Sequence, residues 1–152
     1  MAKLKLPTSS VDVEREPVLT PRFALSLVLV VVGIAWIAYY YAAVRPDHSG
    51  GHYSGIGFIA DLKGWNYLIG FVLFFLGLIV SAHPKTPMGR GRGVVVGMLG
   101  CFLLGLAWIC VFYIFSNNQL DHIWVFNDLG QKNLIVGIAF MAVGFAFATR
   151  WE

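Results

Sequence analysis

Four stretches of the chain, 23–44, 66–82, 94–115 and 133–149, contain no Asp, Glu, Lys or Arg. A bilayer core about 30 Å thick needs roughly 20 apolar residues of helix, with about 17 as the lower limit. The first and third stretches are long enough to span with some tilt, and the second and fourth, at 17 residues each, sit at the limit. Flanking Trp65, Tyr67 and Trp151 favour the membrane interface and extend both short segments. The chain is 58% hydrophobic and only 12% charged, against roughly a quarter charged in soluble domains. A soluble core is excluded by coverage, because the remaining residues could not shield four such helices from water. The expected fold is therefore all-α and integral to the membrane, with four transmembrane helices.

The net charge of +3 does not describe a nucleic-acid face, because the basic residues are dispersed. Eight Lys/Arg fall on one side: Lys3, Lys5, Arg15, Arg22, Lys85, Arg90, Arg92 and Arg150. Three, Arg45, Lys63 and Lys132, fall on the other. The positive-inside bias then predicts a multi-pass protein of the plasma membrane, with both termini and the middle linker cytoplasmic. The first apolar block, at 22 residues, is too long for a signal-peptide h-region of about 7–15 and reads as an uncleaved span.

An internal repeat organises the four spans. Gly33-Ile-Ala-Trp-Ile37 matches Gly105-Leu-Ala-Trp-Ile109, and Tyr41 matches Tyr113, at an offset of 72 residues. Asp61-Leu62, Asn66, Gly70 and Gly77 match Asp128-Leu129, Asn133, Gly137 and Gly144 at an offset of 67. The difference of five is taken up by extra loop residues within 45–60. Two copies in the same order, each with two spans, have parallel rather than inverted topology. The expected units are a flexible cytoplasmic tail (1–22), a first hairpin (23–83), a basic linker (84–93) and a second hairpin (94–152). The Pro- and Gly-rich linker suits a position against anionic headgroups or a protein partner. Asp61, Asp128, Asn66 and Asn133 precede or open helices, where such side chains can accept bonds from free backbone N–H groups. Capping is the role expected of them.

Candidate chemistry is sparse. Ionisable groups within spans are the usual mark of ion paths and proton relays, and these spans carry no Asp, Glu, Lys or Arg. No phosphate-binding Gly-rich loop with its Lys is present. Asp47, His48 and His52 could supply three ligands to Zn²⁺, but the intervening Ser49-Gly50-Gly51 opposes the helix that would bring the imidazoles together. A polar loop is the preferred reading. His122 suits an interface and His83 a helix end or headgroup contact. Cys101 and Cys110 lie on opposite faces of one helix, about 13.5 Å apart along its axis, and cannot pair. No catalytic residue, cofactor or metal is expected.

Small residues carry more information. Gly70, Gly77 and Ser81 recur at near-heptad spacing, as do Gly137, Gly144 and Ala148, so each set returns to nearly one helix face. Gly93 and Gly97 form a GxxxG at the start of the third span. Such stripes let membrane helices approach closely, toward a neighbour in the same chain or in a partner. Trp36, Trp108, Tyr39, Tyr40, Tyr41, Tyr113, Trp65 and Trp124 gather toward the outer half of the membrane, which reads as interfacial anchoring.

The segment from Asp128 to Glu152, with its Leu129-Gly130 turn, Asn133, Gly-spaced span and closing Thr149-Arg150-Trp151, resembles the CrgA cell-division proteins of actinobacteria. Gly105-Leu-Ala-Trp-Ile109, Phe112-Tyr113 and, in the first copy, Leu62-Lys-Gly-Trp65-Asn66 with Gly70 resemble the same family, whereas Ser81-Ala-His83 replaces Thr-Arg-Trp. The resemblance covers roughly 23–83 and 89–152. It implies a tandem form of a family whose members are typically one hairpin. It further implies a non-enzymatic regulator or adaptor of septum formation, contacting divisome and peptidoglycan-synthesis proteins and membrane lipids and enriched at the septum. On that reading, small-residue faces meet partner spans. The alternative from the same physics is an accessory subunit of a respiratory or transport complex. A solute transporter would need a polar path, for which the spans offer mainly Ser26, Ser81 and the two asparagines.

Overall fold

The structure, a computed structural model, describes residues 19–44, 56–116 and 124–150. Helix α1 (Pro21–Tyr39) opens on Thr20, whose side chain accepts from the Phe23 N–H, with Pro21 in the first turn. Proline there forgoes an N–H that would be unsatisfied anyway. The helix continues into a π-turn, Tyr40–Val44. A short helix α2 (Gly57–Asp61) leads into α3 (Trp65–Ser81). After a linker with one 3₁₀ turn (Pro87–Gly89), α4 runs over Arg92–Phe115. The second copy closes with α5 (Trp124–Leu129), a 3₁₀ turn (Gly130–Lys132) and α6 (Asn133–Ala148).

Among the described residues every element is helical and no strand occurs. Three continuous helical segments, Pro21–Val44, Arg92–Phe115 and Val125–Ala148, are long and apolar enough to cross a membrane, and Trp65–Ser81 is a shorter apolar helix. Leu25, Val28 and Val32 on α1, and Leu99, Leu103 and Leu106 on α4, face outward and stay largely exposed. Leaving such side chains in water rather than burying them costs about 1.5–3 kcal/mol each, so these faces need hydrocarbon around them. This is a membrane protein.

The main packing follows the repeat: α1 lies along α3 and α4 along α6, while α3 and α6 meet more narrowly between the hairpins. That junction is aromatic. Phe140 on α6 has its ring centroid 5.0 Å from Phe75 and 5.7 Å from Phe74 on α3, both in edge-to-face geometry. Trp108 on α4 adds an edge contact with Phe71 on α3. At the same junction the Tyr67 hydroxyl donates to the Asp128 carboxylate at 2.5 Å.

Candidate functional site

Inside each hairpin, glycines bring the two helix backbones together. A Cβ on Gly33 would stand 2.7 Å from the Gly70 carbonyl oxygen and from the Phe74 nitrogen; on Gly105 it would stand 2.7 Å from the Gly137 carbonyl oxygen. Gly70 and Gly137 in turn receive the side chains of Ile37 and Ile109. One turn and more further along, Gly77 lies against Val30 and the Ser26 carbonyl, and Gly144 against Phe102 and the Met98 carbonyl. The two sets of contacts superimpose under the offsets of 72 and 67 residues.

The remaining small residues are placed as follows. The site of a Cβ on Gly97 is filled by the Phe147 ring of α6, and Gly93 abuts Pro87 and Met88 of the linker. Ser81 is buried and donates to the Leu78 carbonyl, and Ala148, half-buried, ends α6. The Gly93–Gly97 face is thus turned to α6 and the linker, within the molecule. Ser26 also donates to its own helix, at the Phe23 carbonyl, so neither serine hydroxyl is aimed across a helix interface.

Asn66 and Asn133 are fully buried. Their side chains do not accept bonds from a helix start; they donate. Asn66 Nδ2 bonds the Ile59 and Lys63 carbonyls at 2.7 and 2.9 Å, and Asn133 Nδ2 bonds the Phe126 and Gly130 carbonyls, both at 2.8 Å. The reason lies in the preceding element. The helices α2 and α5 end immediately upstream, so carbonyls rather than N–H groups lack partners there. The Asp128 carboxylate accepts from Tyr67 in the other hairpin.

The turn between Leu62 and Trp65 needs a left-handed backbone at Lys63 (φ 45°), and the second copy places Gly130 (φ 50°) at the equivalent position. Trp65 is exposed, whereas Trp36 and Trp108 pack against the core cluster around Tyr40, Tyr67 and Phe140. Their buried indole Nε1 atoms make no hydrogen bond. Both rings are half-buried, and Trp108 stacks on Phe126 of α5 at 4.4 Å and meets Phe71 of α3 edge-on.

At the opposite end, the linker is held by Thr86, a fully buried residue whose hydroxyl meets the Ser81 and His83 carbonyls and accepts from the Gly89 N–H. Thr86-Pro87 repeats the helix-start signature of Thr20-Pro21 and could have been read from it. Gly33 and Gly105 carry a comparable signal, each opening the repeated pentapeptide on the helix that faces a glycine stripe.

His83 joins α3 to the start of α1: Arg22 Nη1 donates to His83 Nε2 at 2.8 Å, and the Lys85 N–H approaches Nδ1 at 3.1 Å. A neutral imidazole has one acceptor nitrogen, so these donors compete. Desolvation and the neighbouring cations Arg22, Arg150 and Lys85 hold the His83 pKa below its ordinary value. Thr149 donates to the Ala146 carbonyl, and Arg150 lines an open cleft with Arg90 and Arg92. Trp151, His48, His52 and His122, with the 1–18 tail, lie outside the described residues. Among the described residues no cluster of three metal-ligating side chains forms, and Cys101 and Cys110 are free thiols.

The arrangement offers paired helices, outward apolar faces and one cationic end, without a constellation of reactive groups among the described residues. Comparison with known proteins agrees with the repeat. The sequence model of the family described as Cell division protein CrgA matches twice, over residues 3–85 and 83–152. A Cell division protein CrgA of Streptomyces avermitilis is 42% identical over 68 residues, covering 45% of this chain and 75% of that protein. Proteins of the same name from Mycobacterium sp. strains KMS and JLS are each 30% identical over 81 residues, covering 48% of this chain and 86% of theirs. No solved structure matches. Half of this chain accounts for most of each relative, and the family pattern occurs twice along it: the chain belongs to the CrgA family of cell division proteins, and carries the family's unit in tandem.

Proposed function

We propose that the chain is a non-enzymatic adaptor of the division machinery, crossing the plasma membrane four times with both termini and the linker in the cytoplasm. Membership of a cell-division family supports the process. The helix pairing supports four crossings, because α3 and α6 occupy equivalent places in the two hairpins and are 17 and 16 residues long. At 1.5 Å per residue each covers about 25 Å, close to the hydrocarbon thickness. Arg22, Lys85, Arg90, Arg92 and Arg150 share one end of the bundle, and Asp61, Lys63, Asp128 and Lys132 the other, which supports the orientation.

The observation that carries the adaptor reading is where the glycines are spent. They close each hairpin on itself, so division and peptidoglycan-synthesis partners meet the outward Leu/Val/Ile faces of α1 and α4 and the cytoplasmic segments, not the small-residue stripes. The test is affinity capture of the tagged full chain from native-host membranes, together with imaging in dividing cells. Division proteins should be retained and fluorescence should concentrate at septa. Uniform membrane fluorescence, with a stoichiometric respiratory or transport complex retained instead, would replace this reading by that of an accessory subunit.

A further inference from the structure

The two hairpins are most alike at their glycine seams and least alike at their basic ends. In the first, the residue after the second span is His83, which accepts from the Arg22 guanidinium. In the second, the residue aligned with His83 is Arg150, and a guanidinium cannot accept. Arg150, Arg90 and Arg92 instead border an open cleft of about 540 Å³, with Val94 and Val95 supplying apolar lining.

We infer that this cleft is a binding site for the phosphodiester of an anionic phospholipid. Three guanidiniums supply donors whose planar geometry suits phosphate oxygens. Thr149 adds no free proton, because its hydroxyl already donates to the Ala146 carbonyl. What selects a lipid over free phosphate is the surface below. Val96, Leu99 and Leu103 follow Arg92 by four, seven and eleven residues, so they fall within about 40° of it around the helix. All three are largely exposed. A headgroup in the cleft thus has a continuous apolar track for its acyl chains. The short turn at Gly91, with φ 54°, starts α4 and sets Arg90 and Arg92 on the rim. The chemistry rests on the membrane reading above, but not on which side the linker faces.

The experiment is native mass spectrometry of the purified full chain in mild detergent, titrated with phosphatidylglycerol, with phosphatidylcholine, and with phosphatidylglycerol plus excess inorganic phosphate. One phosphatidylglycerol should be retained preferentially and should resist inorganic phosphate. Arg92→Gln and Arg150→Gln should each weaken it about tenfold, while Lys85→Gln leaves it within about twofold. Arg150→Lys should recover part of the loss, and all variants are first checked for unchanged helix content. Equal weakening by Lys85→Gln would mean a diffuse field and overturn the site. So would displacement by inorganic phosphate, or equal retention of phosphatidylcholine. Sidedness is read separately, by impermeant-thiol labelling of a cysteine placed at Lys85, so failure of the orientation leaves the lipid result standing.

Discussion

Asn66 and Asn133 do the same work at the same place in both copies, and the work depends on donating. Each amide holds two backbone carbonyls where a short lead-in helix turns into a span. Asn133→Asp keeps the shape, removes the donor and introduces a buried acid. It should cost about 2–3 kcal/mol of stability, read by denaturant titration in detergent micelles. The two copies differ beside it, where Lys63 adopts the left-handed backbone that Gly130 adopts freely. Lys63→Gly should therefore stabilise the protein by about 1 kcal/mol, and Gly130→Ala should destabilise it although no atom lies within 4 Å of the added carbon. His83 gives the pH dependence. Folding lowers its pKa, so the unfolded chain takes up more protons as acid is added. The Arg22–His83 tie is complete above about pH 6.5 and is lost as pH falls through the lowered value; the His83 ring resonances in a detergent NMR titration would report it. The asparagines were legible as local structure, since they align in the repeat. Which atoms they use was not, because that depends on where the preceding helix stops.

Helix pairing is decided at the glycines. The repeat, the apolar blocks and the spacing of Gly70, Gly77, Gly137 and Gly144 are all open to inspection in the sequence, and α3, α4, α6 and α1 with its π-turn start and end within two residues of the blocks. The partner of each stripe is not, because period fixes a face but not what the face meets. Gly105→Ala would push a methyl against the Gly137 carbonyl, part of a backbone that cannot rotate away. It should cost about 1–3 kcal/mol. Gly100→Ala on the same helix meets nothing within 4 Å, and should be neutral or stabilising by up to about 1 kcal/mol. The same denaturant titration compares the pair, and equal effects would remove the seam from the account. Trp36 and Trp108 show the limit of composition. An indole suits an interface or a gap between helices equally well, and the stacking of Trp108 on Phe126 depends on where α5 lies, which composition does not give.

For the whole molecule, the aromatic junction between hairpins is built largely from residues that the repeat does not share. Phe74, Phe75 and Phe140 have non-aromatic equivalents in the other copy, Met141, Ala142 and Leu73, and Tyr67 corresponds to Leu134. A contact made by residues that differ between copies cannot be inferred from the repeat. It ties the two family units into one body, and through that body sets the linker and the arginine cleft at one end. The proposed sidedness is four crossings, with the tail, the linker and the carboxy-terminal end in the cytoplasm. Single cysteines at Ser9, Ser54, Lys85, Asn118 and Glu152, in a chain with Cys101 and Cys110 replaced by serine, can be labelled in intact cells with a membrane-impermeant maleimide. Ser54 and Asn118 positions should react directly, and Ser9, Lys85 and Glu152 positions only after permeabilisation. Labelling of the Lys85 position from outside, or protection of the Ser54 or Asn118 position, would contradict the account.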